Sequence, residues 1–158
     1  MDYQGSSGRM LDQSDGSVTG STLVMINGAT LFTITGGPIA ILDLVSLCVT
    51  ANDVTASTMQ YQSVPTVGTA TTFSGASASL ASATAGTTVR LAPTALSTAP
   101  TIVAASAGGT QLGTNVANTI VVTAGTIKIV IGVGSTTGTW KHFLWYRPLG
   151  QGITVTGT

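Results

Sequence analysis

A chain of 158 residues is the length of one ordinary domain, and at 43% hydrophobic content it can build a core without disulfide staples. Charged residues make up only 6%, against roughly a quarter in typical proteins, and five basic residues balance five acidic ones. That balance excludes the clustered Lys and Arg that binding to nucleic acid requires, and it leaves a free monomer poorly protected against self-association. The composition fits a surface that neighbouring protein copies cover, and it fits a secreted, Thr/Ser-rich β-protein as well.

Residues 1–20 are rich in Gly, Ser, Asp and Gln with no apolar period, and they read as an extended N-terminal arm. The arm is either a plain tail or a segment that orders along a neighbour. It lacks the basic start and apolar run of a signal peptide. From residue 21 to 158 the chain reads as a single β-domain. Residues 22–26 form a short β-branched run closed by Asn27-Gly28, a strong hairpin signal. Residues 29–35 alternate, and Gly36-Gly37-Pro38 breaks the chain. Ile39–Thr50 is apolar at nearly every position, as a strand buried on both faces would be. The longest apolar stretch, Pro38 to Val49, carries Asp43 and is too short for a transmembrane helix, so no membrane partner is expected. Asp43 sits at a bulge, pairs with a basic residue or faces a subunit interface. Cys48, the lone cysteine, excludes an internal disulfide and reads as a buried reduced thiol.

Residues 58–64 form a strand with Met59, Tyr61 and Ser63 on one side. Residues 65–88 are nearly all small, with Phe73 and Leu80 as the large apolar side chains, and they read as short strands and loops with little to pack. Further strands are expected at 87–92, 101–105, 118–123 and 153–156. Residues 125–133 and 139–147 are the strongest strands, and the Gly-bounded loop between them predicts that they pair as a hairpin. Many short strands, Gly/Pro/Asn turns and no amphipathic helix point to an all-β fold, an antiparallel β-sandwich or a jelly-roll-like barrel.

The catalytic inventory is thin. There is one histidine, His142, in the middle of a strand, and no glutamate. No G-x-S-x-G nucleophile motif, phosphate loop or metal-ligand spacing accompanies it. Neither an enzyme, a metal nor a cofactor is expected. The most informative segment runs from Trp140 to Arg147. Alternation assigns Trp140, His142, Leu144 and Tyr146 to one face and Lys141, Phe143, Trp145 and Arg147 to the other. Three readings stand side by side: a central strand packed on both faces, a subunit interface, or a ligand platform. The candidate interface residues are Trp140, Phe143, Trp145, Tyr146 and Arg147, because Trp, Tyr and Arg are the preferred binding anchors.

Two stretches resemble small structural proteins of tailed bacteriophages. LFTITGGPIAILDLVSLCVTA (31–51) resembles their opening, a strand, a Gly-Gly-Pro kink and a second apolar strand. GTIKIVIGVGSTTGTWKHFLWYRPLGQGITVT (125–156) resembles their end, a hairpin with a Thr-Gly-Thr turn and an aromatic strand closing on a Tyr-x-Pro-Leu-like element. Together they cover about a third of the chain, while 62–117 carries no resemblance. The resemblance brings no catalytic residues. It implies a virion protein made in the host cytoplasm, with capsid decoration as the leading role: a homotrimer that binds the major capsid protein or another virion protein and stabilises the head. A tail, neck or fibre component and a host receptor-binding module are the alternatives.

Overall fold

β-branched residues and Gly-rich turns dominate the chain, and its backbone follows that preference. The computed structural model describes residues 15–91, 100–103, 120–135 and 137–158. Among them there is no helix. The strands are β1 (Gly16–Val24), β2 (Thr30–Thr35), β3 (Ile39–Thr50), β4 (Met59–Pro65), β5 (Thr71–Thr72) and β6 (Thr88–Arg90), followed by β7 (Thr101–Val103), β8 (Ile120–Val122), β9 (Gly125–Ile131), β10 (Thr139–Pro148) and β11 (Thr154–Gly157). They make two antiparallel sheets that face each other as an open sandwich rather than a closed barrel. The first sheet has the order β1-β10-β3-β6-β7, with β8 also on β3, and the second has the order β11-β2-β9-β4-β5.

β3 explains why its sequence is apolar throughout. It lies between β10 on one side and, end to end on the other, β8 against Ile39–Ile41 and β6 against Val45–Leu47. Ile39, Ile41, Leu44 and Cys48 are buried, and so are Ala40, Asp43 and Val45. Asp43 answers two of its expected readings together. The register between β3 and β10 slips between Trp145↔Asp43 and Tyr146↔Ile41, which marks a bulge. The carboxylate also accepts from Arg90 Nε, at 3.0 and 3.1 Å, and from the Leu44 N–H at 2.9 Å.

The expected hairpin of 125–133 with 139–147 is corrected. β9 lies between β2 and β4 in one sheet, while β10 lies between β1 and β3 in the other. The intervening loop is an arch across the core, so Ile127, Ile129 and Ile131 face Trp140 and Leu144 across the sandwich instead of lying beside them. A Gly-rich loop of this length spans either a hairpin or the ~10 Å between packed sheets. Burial decides, because both strands are apolar enough to be central in their own sheets. The Asn27-Gly28 signal has the same fate. It is a real turn, with Gly28 at φ 82° and Ala29 N–H donating to the Ile26 carbonyl at 3.2 Å. It carries the chain from β1 in one sheet to β2 in the other.

The arm boundary also moves. Residues 16–20 belong to β1, and the remainder of the expected arm, 1–14, lies outside the described residues. The glycines that look like flexibility are there for close approach. A β-carbon at Gly16 would sit 2.5 Å from Tyr146 Cζ, and one at Gly20 would sit 3.3 Å from the Leu31 carbonyl oxygen. β1 in turn touches the second sheet at its edge, where Ser21 N–H donates to the Thr158 carbonyl and Thr158 N–H donates to the Leu31 carbonyl at 3.1 Å.

The small-residue stretch after β4 packs more than its composition suggests. Phe73 and Leu80 are buried at 3% and 1% exposure. Between them, serine hydroxyls take the place of a neighbouring strand. Ser74 Oγ accepts from Tyr61 N–H at 2.9 Å, and Ser77 Oγ accepts from Met59 N–H at 3.0 Å. Each bond satisfies a buried backbone donor that costs about 1–3 kcal/mol when orphaned.

Candidate functional site

β10 is the organising element of the site, because its alternation puts two different chemistries on its two faces. Its interior side carries Trp140, His142 and Leu144, all at 1% exposure or less. Its outer side carries Lys141, Phe143 and Trp145, half-buried, and the exposed Arg147. The face assignment from alternation therefore holds, whereas the candidate interface set does not form one surface. Trp140 belongs to the core, where its indole N–H donates to Asn52 Oδ1 at 3.0 Å. Tyr146 packs against the core edge over Gly16. The surface that remains is built on Phe143, Trp145 and Arg147.

Register supplies its neighbours. Phe143 lies between Thr19 of β1 and Val45 of β3, Trp145 between Ser17 and Asp43, and Lys141 between Thr22 and Leu47. The Phe143 and Trp145 rings are 6.3 Å apart at 25°, and the Lys141 ammonium lies 6.0 Å from the Phe143 ring centre, within cation–π range. Beyond β3, Val121 of β8 adds an exposed aliphatic side chain beside Ala40.

The carboxylates of this face are held by cations of the same chain. Arg147 takes Asp15 in a bidentate pair at 2.7 and 3.1 Å, both side chains being about half exposed. The Arg147 guanidinium lowers the Asp15 carboxyl below its ordinary value, and Asp15 raises Arg147. Asp43 pairs with Arg90. The result is a row of aromatic and aliphatic side chains framed by internally neutralised ion pairs. The outer side of the second sheet differs: Thr33, Thr126, Gln60, Gln62, Lys128 and Val130 give it a hydroxyl and amide surface.

The interior side of β10 brings together a pair the sequence does not. Ser46 of β3 is the register partner of His142, and its Oγ lies 2.7 Å from Nδ1. Tyr61 Oη lies 2.8 Å from the same hydroxyl. All three residues are at 0–1% exposure, so no substrate reaches the hydroxyl, and the group acts as a polar cross-link between the sheets. Burial pulls His142 down to about 4 and pushes the Tyr61 phenol up. Cys48 is free and buried, its thiol raised by burial, with Sγ 3.2 Å from the Thr50 carbonyl oxygen. The signal for the network in the sequence was one small polar residue in the apolar run of β3. Without the register, nothing tied it to the lone histidine.

Among the described residues no group of three or more His, Cys, Asp or Glu converges as a metal site, and no helix is long and apolar enough to cross a membrane. No protein-family model, curated protein or solved structure matches the chain.

Proposed function

We propose that this protein is a structural subunit that works by packing against other protein copies, as a decoration protein on the head of a tailed bacteriophage. The observation that carries the reading is the outer face of the β1-β10-β3 sheet, where the half-buried Phe143, Trp145 and Leu47 flank the buried Val45 in an apolar row whose neighbouring carboxylates are already paired. Aromatic residues beside arginine are the side chains enriched at protein interfaces. A chain with 6% charge presents little to repel a second copy. The virion assignment rests on the resemblance of the 31–51 and 125–156 stretches to phage structural proteins.

Reinforcement by such a subunit is a matter of buried area. An interface of ordinary size, ~1,600 Å2 and somewhat over half apolar, corresponds to roughly 20 kcal/mol of gross apolar transfer. Association costs of about 4–15 kcal/mol remove much of this, and the surplus, repeated over a shell, raises the barrier to rupture. The reading is tested on particles purified with and without the protein. Decoration predicts a high copy number and rupture of the stripped particles at lower temperature. Stripped particles that survive heat equally well but no longer adsorb to cells would make it a receptor-binding module. A failure to form tails would place it in the tail.

A further inference from the structure

A chain of three side chains joins the two sheets through the core. Ser46 on β3 and His142 on β10 stand opposite each other, and Tyr61 reaches them from β4 of the facing sheet. Ser46 Oγ is 2.7 Å from His142 Nδ1 and 2.8 Å from Tyr61 Oη, and Tyr61 Oη is 3.4 Å from the Val89 carbonyl oxygen on β6. With a neutral ring carrying its proton on Nε2, the phenol donates to Ser46 and Ser46 donates to Nδ1. A second proton on the ring turns Nδ1 into a donor. The hydroxyls then reverse, His142 to Ser46, Ser46 to Tyr61, Tyr61 to Val89, and each keeps a partner. Among the described residues, none supplies a counter-charge to the ring.

The groups around the ring show this from every side. β3 offers the buried thiol of Cys48 and the carboxylate of Asp43, which faces outward and is held by Arg90 of β6. β4 offers Tyr61 itself. Lys141 and Arg147, on the histidine's own strand, alternate to the outer face, and Lys128 of β9 lies on the outer face of its sheet between Thr30 and Gln62. β1, β2, β8 and β11 carry no titratable residue. The core that surrounds these strands is rich in apolar side chains, with Phe32, Leu44, Ile127, Ile129 and Leu144 all buried. An imidazolium there is a desolvated charge with no ion to pair with.

We propose that the Ser46–His142–Tyr61 chain is an acid-sensitive seam: uptake of one proton at His142 loosens the grip of one sheet on the other, so the sandwich holds more firmly at neutral pH than in mild acid. The sign follows from linkage. Burial depresses the ring to about 4 in the folded protein, against 6.5 when solvated. The stabilisation is fully present above 6.5 and is lost as pH falls toward 4, because over that window the unfolded chain binds the proton and the folded one does not. The unfolding equilibrium constant rises on the order of a hundredfold from neutral pH to the bottom of that window, at tenfold per unit. The chain has one histidine and no glutamate, and aspartate linkage sets in only toward the lower end of the window, so its upper part reports on His142.

The test is urea unfolding of the full chain at pH values on either side of the window, together with an NMR titration of the imidazole, whose signals come from a single residue. The expected result is a ring that stays neutral well below the ordinary histidine range and an unfolding midpoint that drops in acid. His142→Asn, which supplies a carboxamide oxygen near Nδ1 but takes up no proton, is expected to lose that drop. A folded-state ring that titrates like a solvated histidine, or a wild-type midpoint unchanged between the two pH values, overturns the proposal. Both readouts come from the wild-type chain, so the outcome stands even if the variant does not fold.

Discussion

Trp140→Ala is expected to cost the protein about 4–8 kcal/mol of stability. Trp140 is the largest fully buried side chain, at 1% exposure, and it sits on β10 where the two sheets meet the connections at one end of the sandwich. Truncating a buried tryptophan costs about 3–5 kcal/mol through lost transfer energy and the cavity left behind. The indole is also one post of a bonded frame. Its N–H donates to Asn52 Oδ1 at 3.0 Å, Asn52 Nδ2 donates to the Leu80 carbonyl at 2.9 Å, and Asn52 N–H donates to the Ala83 carbonyl at 3.0 Å. Ser135 Oγ ties in the β9–β10 loop by accepting from Asp53 N–H and Gly138 N–H, each at 3.2 Å. Removing the indole orphans a buried amide oxygen at a further cost of about 1–3 kcal/mol. The sum approaches the whole stability of an ordinary domain, about 5–15 kcal/mol. Circular dichroism with urea titration checks it. Trp140→Phe, which keeps most of the volume and loses the bond, is expected to fold with a clearly lower midpoint.

Gly125→Ala is expected to cost about 2–6 kcal/mol, several times what replacing an ordinary exposed glycine would. Gly125 opens β9 at φ 149°, a conformation that residues with a β-carbon rarely adopt and that costs them about 1–3 kcal/mol. The added carbon would also collide with the Val64 carbonyl oxygen and lie 2.6 Å from Pro65 Cα. Both obstacles are backbone atoms of β4, so relief requires parting a ladder that runs from Met59↔Ile131 to Pro65↔Gly125. Overpacking of this kind costs about 1–3 kcal/mol in addition. Gly28→Ala is the control. It shares a positive φ, 82°, but a β-carbon there meets nothing within 4 Å, so a smaller loss confined to backbone strain is expected in the same denaturation experiment.

These positions show where the sequence is informative and where it is silent. Strands β3, β4, β9 and β10 are legible because burial forces either a continuous apolar run or strict alternation, and alternation alone separates Phe143 and Trp145 from Trp140 and His142. Sheet membership is not legible. Asn27-Gly28 and the 132–138 loop carry the residues of hairpins, but a turn that arches across a core uses the same glycines, and the choice is made by which strands bury the most apolar surface together. The glycines of β1 read as flexibility because their purpose, room for the Tyr146 ring and the Leu31 carbonyl, lies over a hundred residues away in one case and on a neighbouring strand in the other. The polar seam is silent for the same reason. Ser46, Tyr61 and His142 become a unit only once the register of β3 against β10 and the facing of β4 are set.

The proposed burial of the outer face of β10 and β3 against another copy is checked by sedimentation velocity on the full chain at neutral pH, from low to high micromolar concentration, beside a Trp145→Lys variant. Trp145 is half-buried on the outer side and takes no part in the interior bonds, so lysine there adds a charge to the apolar row while leaving the core intact. The wild-type chain is expected to associate, with a trimer as the expected species, and the folded variant to sediment as a monomer. A wild-type monomer throughout the range, or an oligomer that the lysine leaves unchanged, would contradict the proposed burial.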